Sequence, residues 1–365
     1  MERPFSLLIK PAGADCNLNC TYCFYLEKGE LYPDSKIHRM SDTVLEKLIS
    51  SYLQTTQAVY AFGWQGGEPT LMGLPFFKKV VSLQNRYARQ GSAVSNGLQT
   101  NGTLLNDEMA AFFKEFNFLL GVSIDGPAEI HDIYRKNIDG ESSHRRVLRG
   151  IRALRRQKTE FNVLTLVSRA NVRRGKEVYH YLKEEGFFFH QYIPCVEYRN
   201  GTPLPWSLEG EDWGRFLLDI FSAWYPQDTR AISIRQFDAI LQRLISGTSA
   251  ICTIGDSCSQ YFVVEHTGDV YPCDFFVDPD LKLGNVMHQT WQAFSRSPIY
   301  TNFAKRKRDL PETCNLCPFL EFCYGDCPKH RAPVSVLCEG WKLFYRETLP
   351  VFREIARTFL TASNP

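Results

Sequence analysis

Cys16, Cys20 and Cys23 lie three and two residues apart and so place three thiolates on one loop. A structural zinc ion takes four ligands, commonly as paired cysteines, and no fourth candidate lies nearby in the sequence. A cubane 4Fe–4S cluster accepts one thiolate at each iron, so three protein ligands leave one iron open to a substrate or cofactor. The spacing favours that chemistry over a structural zinc or a chance grouping. Eight further cysteines fall between residues 252 and 338: Cys252, Cys258, Cys273, Cys314, Cys317, Cys323, Cys327 and Cys338. They make two sets of four, enough to ligate two closed cubanes, with a pair of zinc-ribbon sites as the alternative. Either would staple a loop-rich segment that builds little core of its own. The twelfth, Cys195, follows Ile193-Pro194 and reads as a small buried residue rather than a ligand.

These residues need a scaffold, and the pattern supplies one. Residues 5–10 read as a short buried strand ending in a lysine and a proline, with the first cysteines in the loop beyond it. Ser41 or Asp42 can cap a helix through Tyr52, on which Leu45, Leu48 and Ile49 repeat at helical spacing. A strand over 59–64 runs into Gln65-Gly66-Gly67-Glu68-Pro69, a helix covers 75–89, and a strand ends at Gln99-Thr100-Asn101-Gly102. A helix near 106–115 and a strand over 118–124 lead to Asp125-Gly126-Pro127. An arginine-rich amphipathic helix over 143–158 reads as apolar inward and solvated outward. A strand at 161–167, a helix at 173–185 and a strand at 187–194 complete six strand–helix alternations. Such alternation implies a parallel sheet with right-handed crossovers, whose chemistry sits beyond the carboxyl ends of the strands. After residue 200 come helices near 209–224 and 236–246, then the cysteine field.

Composition sets the outer bounds. The 365 residues are 44% hydrophobic and 22% charged, as in a soluble globular protein. A net charge of +2 gives no case for a nucleic-acid or acidic-membrane partner, and Lys305–Arg308 reads as a solvated face. No run is apolar enough for a transmembrane helix, and Met1-Glu2-Arg3-Pro4 does not open a signal peptide, so a cytoplasmic protein is expected. In that reducing compartment twelve cysteines are a metal inventory rather than a disulfide framework.

The triplet, its place after the first strand, and the Gly66-Gly67-Glu68-Pro69 element after the second resemble the radical S-adenosylmethionine (SAM) superfamily. The order of the later cysteines resembles the SPASM extension of radical SAM peptide maturases. Ser6-Leu7-Leu8-Ile9-Lys10-Pro11, Cys20-Thr21-Tyr22-Cys23-Phe24-Tyr25, Trp64 through Thr70, Val270-Tyr271-Pro272-Cys273-Asp274-Phe275 and Leu283-Gly284-Asn285 together resemble the anaerobic sulfatase-maturating enzymes. The ten residues between Cys327 and Cys338 are a departure, shorter than that family's spacing.

The resemblance implies a partial (β/α)6 radical SAM barrel over 1–235, then a SPASM domain of short strands and helices over 236–365 with a C-terminal helix. It implies three 4Fe–4S clusters and SAM. Cys16, Cys20 and Cys23 would hold the SAM cluster; Cys252, Cys258, Cys273 and Cys327 the first auxiliary cluster; Cys314, Cys317, Cys323 and Cys338 the second. Gly66 and Gly67 would let the backbone approach the methionyl amine, Glu68 would offset its charge, and Ser123 and Asp125 would meet the ribose or methionyl group. Gln99 and Asn101 are further contributors. Asp-Gly-Pro is also an ordinary turn. Asp274 is the candidate base, with a turn aspartate as the alternative, and Tyr25 and Gln65 would line the substrate pocket.

The implied reaction is oxidation of a cysteine or serine in a Cys/Ser-x-Pro-x-Arg stretch of an unfolded sulfatase to Cα-formylglycine. It begins with Cβ-hydrogen abstraction by a 5′-deoxyadenosyl radical. The expected partners are that polypeptide and an electron donor such as flavodoxin or ferredoxin, around a monomeric enzyme. Another SPASM maturase, forming a thioether or carbon–carbon crosslink, is the nearest rival. Such enzymes often carry an extra N-terminal peptide-recognition domain, and a barrel expected to begin near residue 5 counts against that rival. A non-catalytic iron–sulfur or zinc protein is the rival from another class.

Overall fold

The computed structural model describes residues 4–249 and 251–362. Its first half alternates strands and helices. In order these are β1 (Ser6–Lys10), α1 (Asp42–Leu53), β2 (Val59–Trp64), α2 (Gly73–Tyr87), β3 (Ala93–Thr100), α3 (Asp107–Glu115), β4 (Leu119–Ser123), α4 (Ala128–Tyr134), α5 (His144–Gln157), β5 (Phe161–Val167), α6 (Gly175–Glu184) and β6 (Phe189–Pro194). A small hairpin, β7 (Tyr198–Arg199) and β8 (Thr202–Pro203), precedes α7 (Asp212–Trp224), β9 (Ser233–Ile234) and α8 (Arg235–Ser246). The cysteine-rich part adds β10 (Tyr261–Glu265), β11 (Asp269–Tyr271), β12 (Gly284–Asn285), α9 (Trp291–Arg296) and α10 (Pro298–Lys305). Two single-turn helices, α11 (Glu312–Asn315) and α12 (Leu320–Cys323), lead to the 25-residue α13 (Cys338–Ala362). No helix among the described residues is long and apolar enough to cross a membrane.

The chain forms two compact units, and neither is a continuous stretch. The first takes the residues up to 123, then 135–161 and 258–304; the second takes 124–134, 162–257 and the residues from 305 onward. In the first unit β1, β2, β3 and β4 pair in parallel, as βα alternation requires. The helices form for local reasons. The Ser41 side chain accepts the Val44 N–H to start α1, and Asn106 does the same for Met109 at α3. α1 then buries Leu45, Leu48, Ile49 and Tyr52 on one face. Aromatic rings fill the space between α2, α3 and the sheet: Trp64 packs edge-on to Phe76 and Phe77, and Phe77 meets Phe113 and Phe118.

The other edge of this sheet is built from the far end of the chain. β10 runs parallel to β1, pairing Ser6 with Tyr261 and Lys10 with Glu265, and β11 and β12 continue as an antiparallel meander. The second unit carries β5, β6 and β9 in parallel order. There α7 and α13 cross so closely that a Cβ on Gly214 would lie 2.0 Å from the Gly340 carbonyl oxygen, so glycine at that crossing is obligatory.

Candidate active site

The carboxyl ends of β1, β2 and β3 meet at the Cys16–Cys23 loop. Gly67 N–H donates to Gly13 O at 2.8 Å and Glu68 N–H to Asp15 O at 2.7 Å, so the two loops lie backbone against backbone. This contact explains the glycines directly. A Cβ on Gly67 would sit 2.0 Å from Asp15 O, and one on Gly66, whose φ is +133°, would sit 2.8 Å from Gly13 O. Their smallness is therefore required by the cysteine loop itself.

Glu68 is fully buried, and both of its oxygens are engaged by the chain. Oε1 accepts from Thr70 N–H at 2.9 Å, Thr70 Oγ1 at 2.5 Å and Thr100 Oγ1 at 2.7 Å; Oε2 accepts from Asn101 N–H at 2.7 Å. Burial raises its carboxyl above the usual range, and these donors pull it back. Glu68 thus ties the end of β2 to the end of β3. Asn101 carries the tie onward, its amide reaching Asn17 Oδ1 at 2.9 Å and Cys16 Sγ at 3.7 Å. Burial pushes the Cys16 thiol up to about 12, and the Glu68 carboxylate and then Cys20 and Cys23 add to the rise. The three thiols are close enough to feel one another. Unmetallated, such a group resists ionisation; a cation at its centre would reverse that. Gln99 Nε2 donates to Ser123 Oγ at 3.1 Å, which places Ser123 at the neighbouring strand end.

Asp274 Oδ1 forms an ion pair with Lys10 Nζ, and Asp274 Oδ2 accepts from Gln65 Nε2 at 3.3 Å. Lys10 is fully buried at the end of β1, and its Nζ lies 4.4 Å from the centre of the Tyr25 ring. The Tyr25 hydroxyl donates to Glu265, the residue opposite Lys10 in the β1–β10 register. Burial, then Glu265 and Asp274, hold the Tyr25 phenol well above its ordinary value, so it remains a donor. Tyr25 also packs on Val263, Tyr271 and Val277, with Cys23 against the same group. Asp274, Gln65 and Tyr25, expected separately from sequence, therefore meet around one lysine. Lys10 and Glu265 were missed. A lysine closing an apolar strand was the signal for the first.

In the second unit a cavity of about 220 Å³ is lined by Cys314, Cys317, Cys323 and Cys338 together with Trp341 and Tyr345. The thiols surround this space without converging: among the described residues no three His, Cys, Asp or Glu side chains come together as a single ion would require. A cubane, with a ligand at each corner, needs no such point of convergence, and these residues fit one. Buried charges hold the walls. Lys307 donates to Thr253 O at 2.8 Å and Asp326 O at 2.5 Å, bringing the segment of Cys252 to that of Cys327. The Asp326 carboxylate is kept below its usual range, because His330, Lys307 and Ser335 outweigh its burial. Cys273, in the first unit, has the Tyr261 hydroxyl 3.3 Å from its sulfur. Asp125 is buried in the second unit, where its Oδ1 accepts the Leu166 N–H at 3.0 Å. Cys195 is 2% exposed.

Residues 11–182 match the model of the radical SAM superfamily, and residues 252–318 match an iron–sulfur cluster-binding domain, SPASM. The serine-type anaerobic sulfatase-maturating enzyme of Bacteroides thetaiotaomicron is 37% identical over 100% of this chain and 94% of its own. The cysteine-type enzyme of Clostridium perfringens is 36% identical over 97% and 98%. The chain belongs to the anaerobic sulfatase-maturating enzymes. Anaerobic sulfatase-maturating enzymes of this kind are radical SAM oxidoreductases carrying 4Fe–4S clusters, and the α/β architecture agrees. The structure of native anSMEcpe with bound AdoMet superposes with a TM-score of 0.91 at 36% identity, covering 97% of this chain and 100% of that one. That enzyme has also been seen with AdoMet and the Cp18Cys peptide, at a TM-score of 0.91. Although the gap between Cys327 and Cys338 is shorter than that family's, α13 begins at Cys338 and presents it to the same cavity as Cys314, Cys317 and Cys323.

Proposed function

We propose that this enzyme oxidises one cysteine or serine side chain, in a Cys/Ser-x-Pro-x-Arg stretch of an unfolded sulfatase, to Cα-formylglycine. The observation that carries the reading is the meeting of Asp274, Gln65, Tyr25 and Lys10 in the unit that holds Cys16, Cys20 and Cys23. When bound, the reduced cluster and SAM supply a 5′-deoxyadenosyl radical for the Cβ hydrogen, and the auxiliary clusters offer a sink for the second electron. The chain must do the rest. Asp274, paired with Lys10, takes the thiol or hydroxyl proton. Gln65 fixes the second carboxylate oxygen, and Tyr25, locked by Glu265, forms the wall beside them. With a hydrogen atom, a proton and an electron removed, serine gives the aldehyde directly. Cysteine gives a thioaldehyde that water converts to the aldehyde with release of sulfide.

On the motif match, residue by residue, Gly66, Gly67, Glu68, Ser123 and Asp125 serve SAM. Glu68 acts by fixing the strand ends rather than through a spare oxygen. Cys252, Cys258, Cys273 and Cys327 are assigned to one auxiliary cluster and Cys314, Cys317, Cys323 and Cys338 to the other. Residues 1–235 are assigned to the radical SAM part and 236–365 to the auxiliary-cluster part of a cytoplasmic monomer that takes its electrons from a small carrier protein. The serine-type and cysteine-type relatives are 37% and 36% identical, so identity does not choose the target. The test incubates the reduced, anaerobically reconstituted enzyme with SAM and paired Cys-x-Pro-x-Arg and Ser-x-Pro-x-Arg peptides. Mass spectrometry should find the aldehyde on at least one. Deoxyadenosine release with neither peptide oxidised would sink the proposal and favour a crosslinking maturase.

A further inference from the structure

Helix α5 carries a charge density out of keeping with the rest of the chain. Residues 135–158 hold nine lysines and arginines against two acidic residues, a net +7 within a chain whose total is +2. Arg145, Arg149, Arg152 and Arg156 recur every three or four residues and so form one stripe, about 17 Å long at the helical rise. All four are exposed. Asp107 satisfies Arg156 with two bonds of 2.9 Å, but among the described residues no carboxylate lies within ion-pair distance of Arg145, Arg149 or Arg152. Within residues 135–158 the two acids, Asp139 and Glu141, both precede α5. Beside the stripe a cavity of about 330 Å³ opens between Thr103, Leu104, Asn106, Arg146 and Arg149.

This surface stands directly behind the first cysteine loop. α5 presses on the loop after β3, where a Cβ on Gly150 would lie 2.0 Å from Gly102 O. Thr103, in the cavity wall, accepts from Asn17 Nδ2 at 2.8 Å. Arg146 donates to Asn137 Oδ1 at 2.9 Å, and Asn137 bridges to Leu18, between Cys16 and Cys20. Asn19 N–H donates to Lys136 O at 2.9 Å. The basic face and the cysteine loop are thus joined by single side chains and one short bridge.

We propose that the arginine face of α5 is the docking surface for a small acidic electron-carrier protein. The inference rests on the radical SAM reading of Cys16, Cys20 and Cys23, because the cluster must be reduced by an electron from outside before SAM can be cleaved. The carrier loses one electron and the cluster held by those cysteines gains it; no bond forms and no proton moves. A basic stripe with three arginines outside any ion pair steers an acidic partner and sets the salt dependence of encounter more than it adds affinity. Its place against the loop shortens the path that the electron must cross.

The test uses the cluster-loaded enzyme and acidic flavodoxin as the probe. Binding of oxidised flavodoxin is followed by flavin fluorescence at several salt concentrations, and reduction of the enzyme by flavodoxin hydroquinone is followed by stopped flow. Arg149→Glu with Arg152→Glu should weaken binding and slow reduction by about tenfold or more at low salt, and should flatten the salt dependence. The milder Arg149→Gln with Arg152→Gln should fall between. Deoxyadenosine formation driven by dithionite should remain at the wild-type rate in all of them, which separates a docking defect from failure of the radical SAM reading. Unchanged flavodoxin binding and reduction in the reversed variant would overturn the proposal. So would a wild-type enzyme that ignores flavodoxin but binds RNA through the same arginines.

Discussion

Asp274→Asn removes the partner of a lysine that has no access to water. The Lys10 side chain is 1% exposed and that of Asp274 is 11% exposed. Breaking a buried pair from one side leaves an uncompensated charge, which costs about 3–5 kcal/mol. That is a large part of the 5–15 kcal/mol by which a domain is ordinarily stable. With a denaturant slope of about 3 kcal/mol/M, the urea midpoint should fall by about 1–2 M. Lys10→Met in the same chain removes the stranded ammonium and should recover most of that loss. Activity should behave differently. Asp274→Asn should cleave SAM yet form little aldehyde, and Lys10→Met/Asp274→Asn should be just as poor despite its regained stability. The assay pairs urea unfolding of equally cluster-loaded proteins with deoxyadenosine and aldehyde yields from one peptide. Aldehyde formation that recovers along with stability would refute Asp274 as the base and leave it a structural aspartate.

Gly67→Ala should lose the first cluster, seen as a fall in iron and in cluster absorption, because its Cβ would have to enter the space of the Asp15 carbonyl 2.0 Å away. Cys317→Ala should lower bound iron from about twelve atoms to about eight while leaving SAM cleavage intact. Burial holds the His190 imidazole down at about 4 from an ordinary 6.5. The unfolded chain takes up this proton as pH falls below about 6.5 and the folded chain only near 4, so stability is full above that window and declines through it, by ~3 kcal/mol. His190→Leu should flatten the decline by about one proton; an unchanged slope between pH 4 and 6.5 would show that His190 is not its source.

Local periodicity was enough for the elements that make their own case. The strands over 59–64 and 161–167 match to the residue, because β-branched and aromatic side chains alternate there between clear turn signals. α2 begins at Gly73 rather than at Pro75, since proline is tolerated within a first turn. α4 was missed because Asp125-Gly126-Pro127 reads as a turn, and the helix it opens is only seven residues long. The site was half legible. Cysteines declare themselves by spacing, and Asp274 by the cysteine before it. What could not be read is partnership: the lysine that pairs with Asp274 is 264 residues away, and Tyr261–Glu265 gives no local sign that it will lie beside β1. Glu68 shows a different gap: its motif implies a contact with SAM but gives no sign of the four donors from the chain itself that fix it between the strand ends.

The pairing of β1 with β10 has a consequence for how the enzyme is made. A ribosome adds about 5–20 residues each second, so Lys10 emerges roughly 15–50 s before the aspartate that neutralises it. Throughout that interval the edge of β1 lacks its neighbour, and Lys10 must stay in water or find another counter-ion. Contacts of such long sequence separation form late. Iron offered to the nascent chain would meet Cys16, Cys20 and Cys23 on a loop whose supporting sheet is still one strand short. Newly made enzyme should therefore acquire its first cluster only near the end of synthesis, when the last third of the chain closes the sheet behind it.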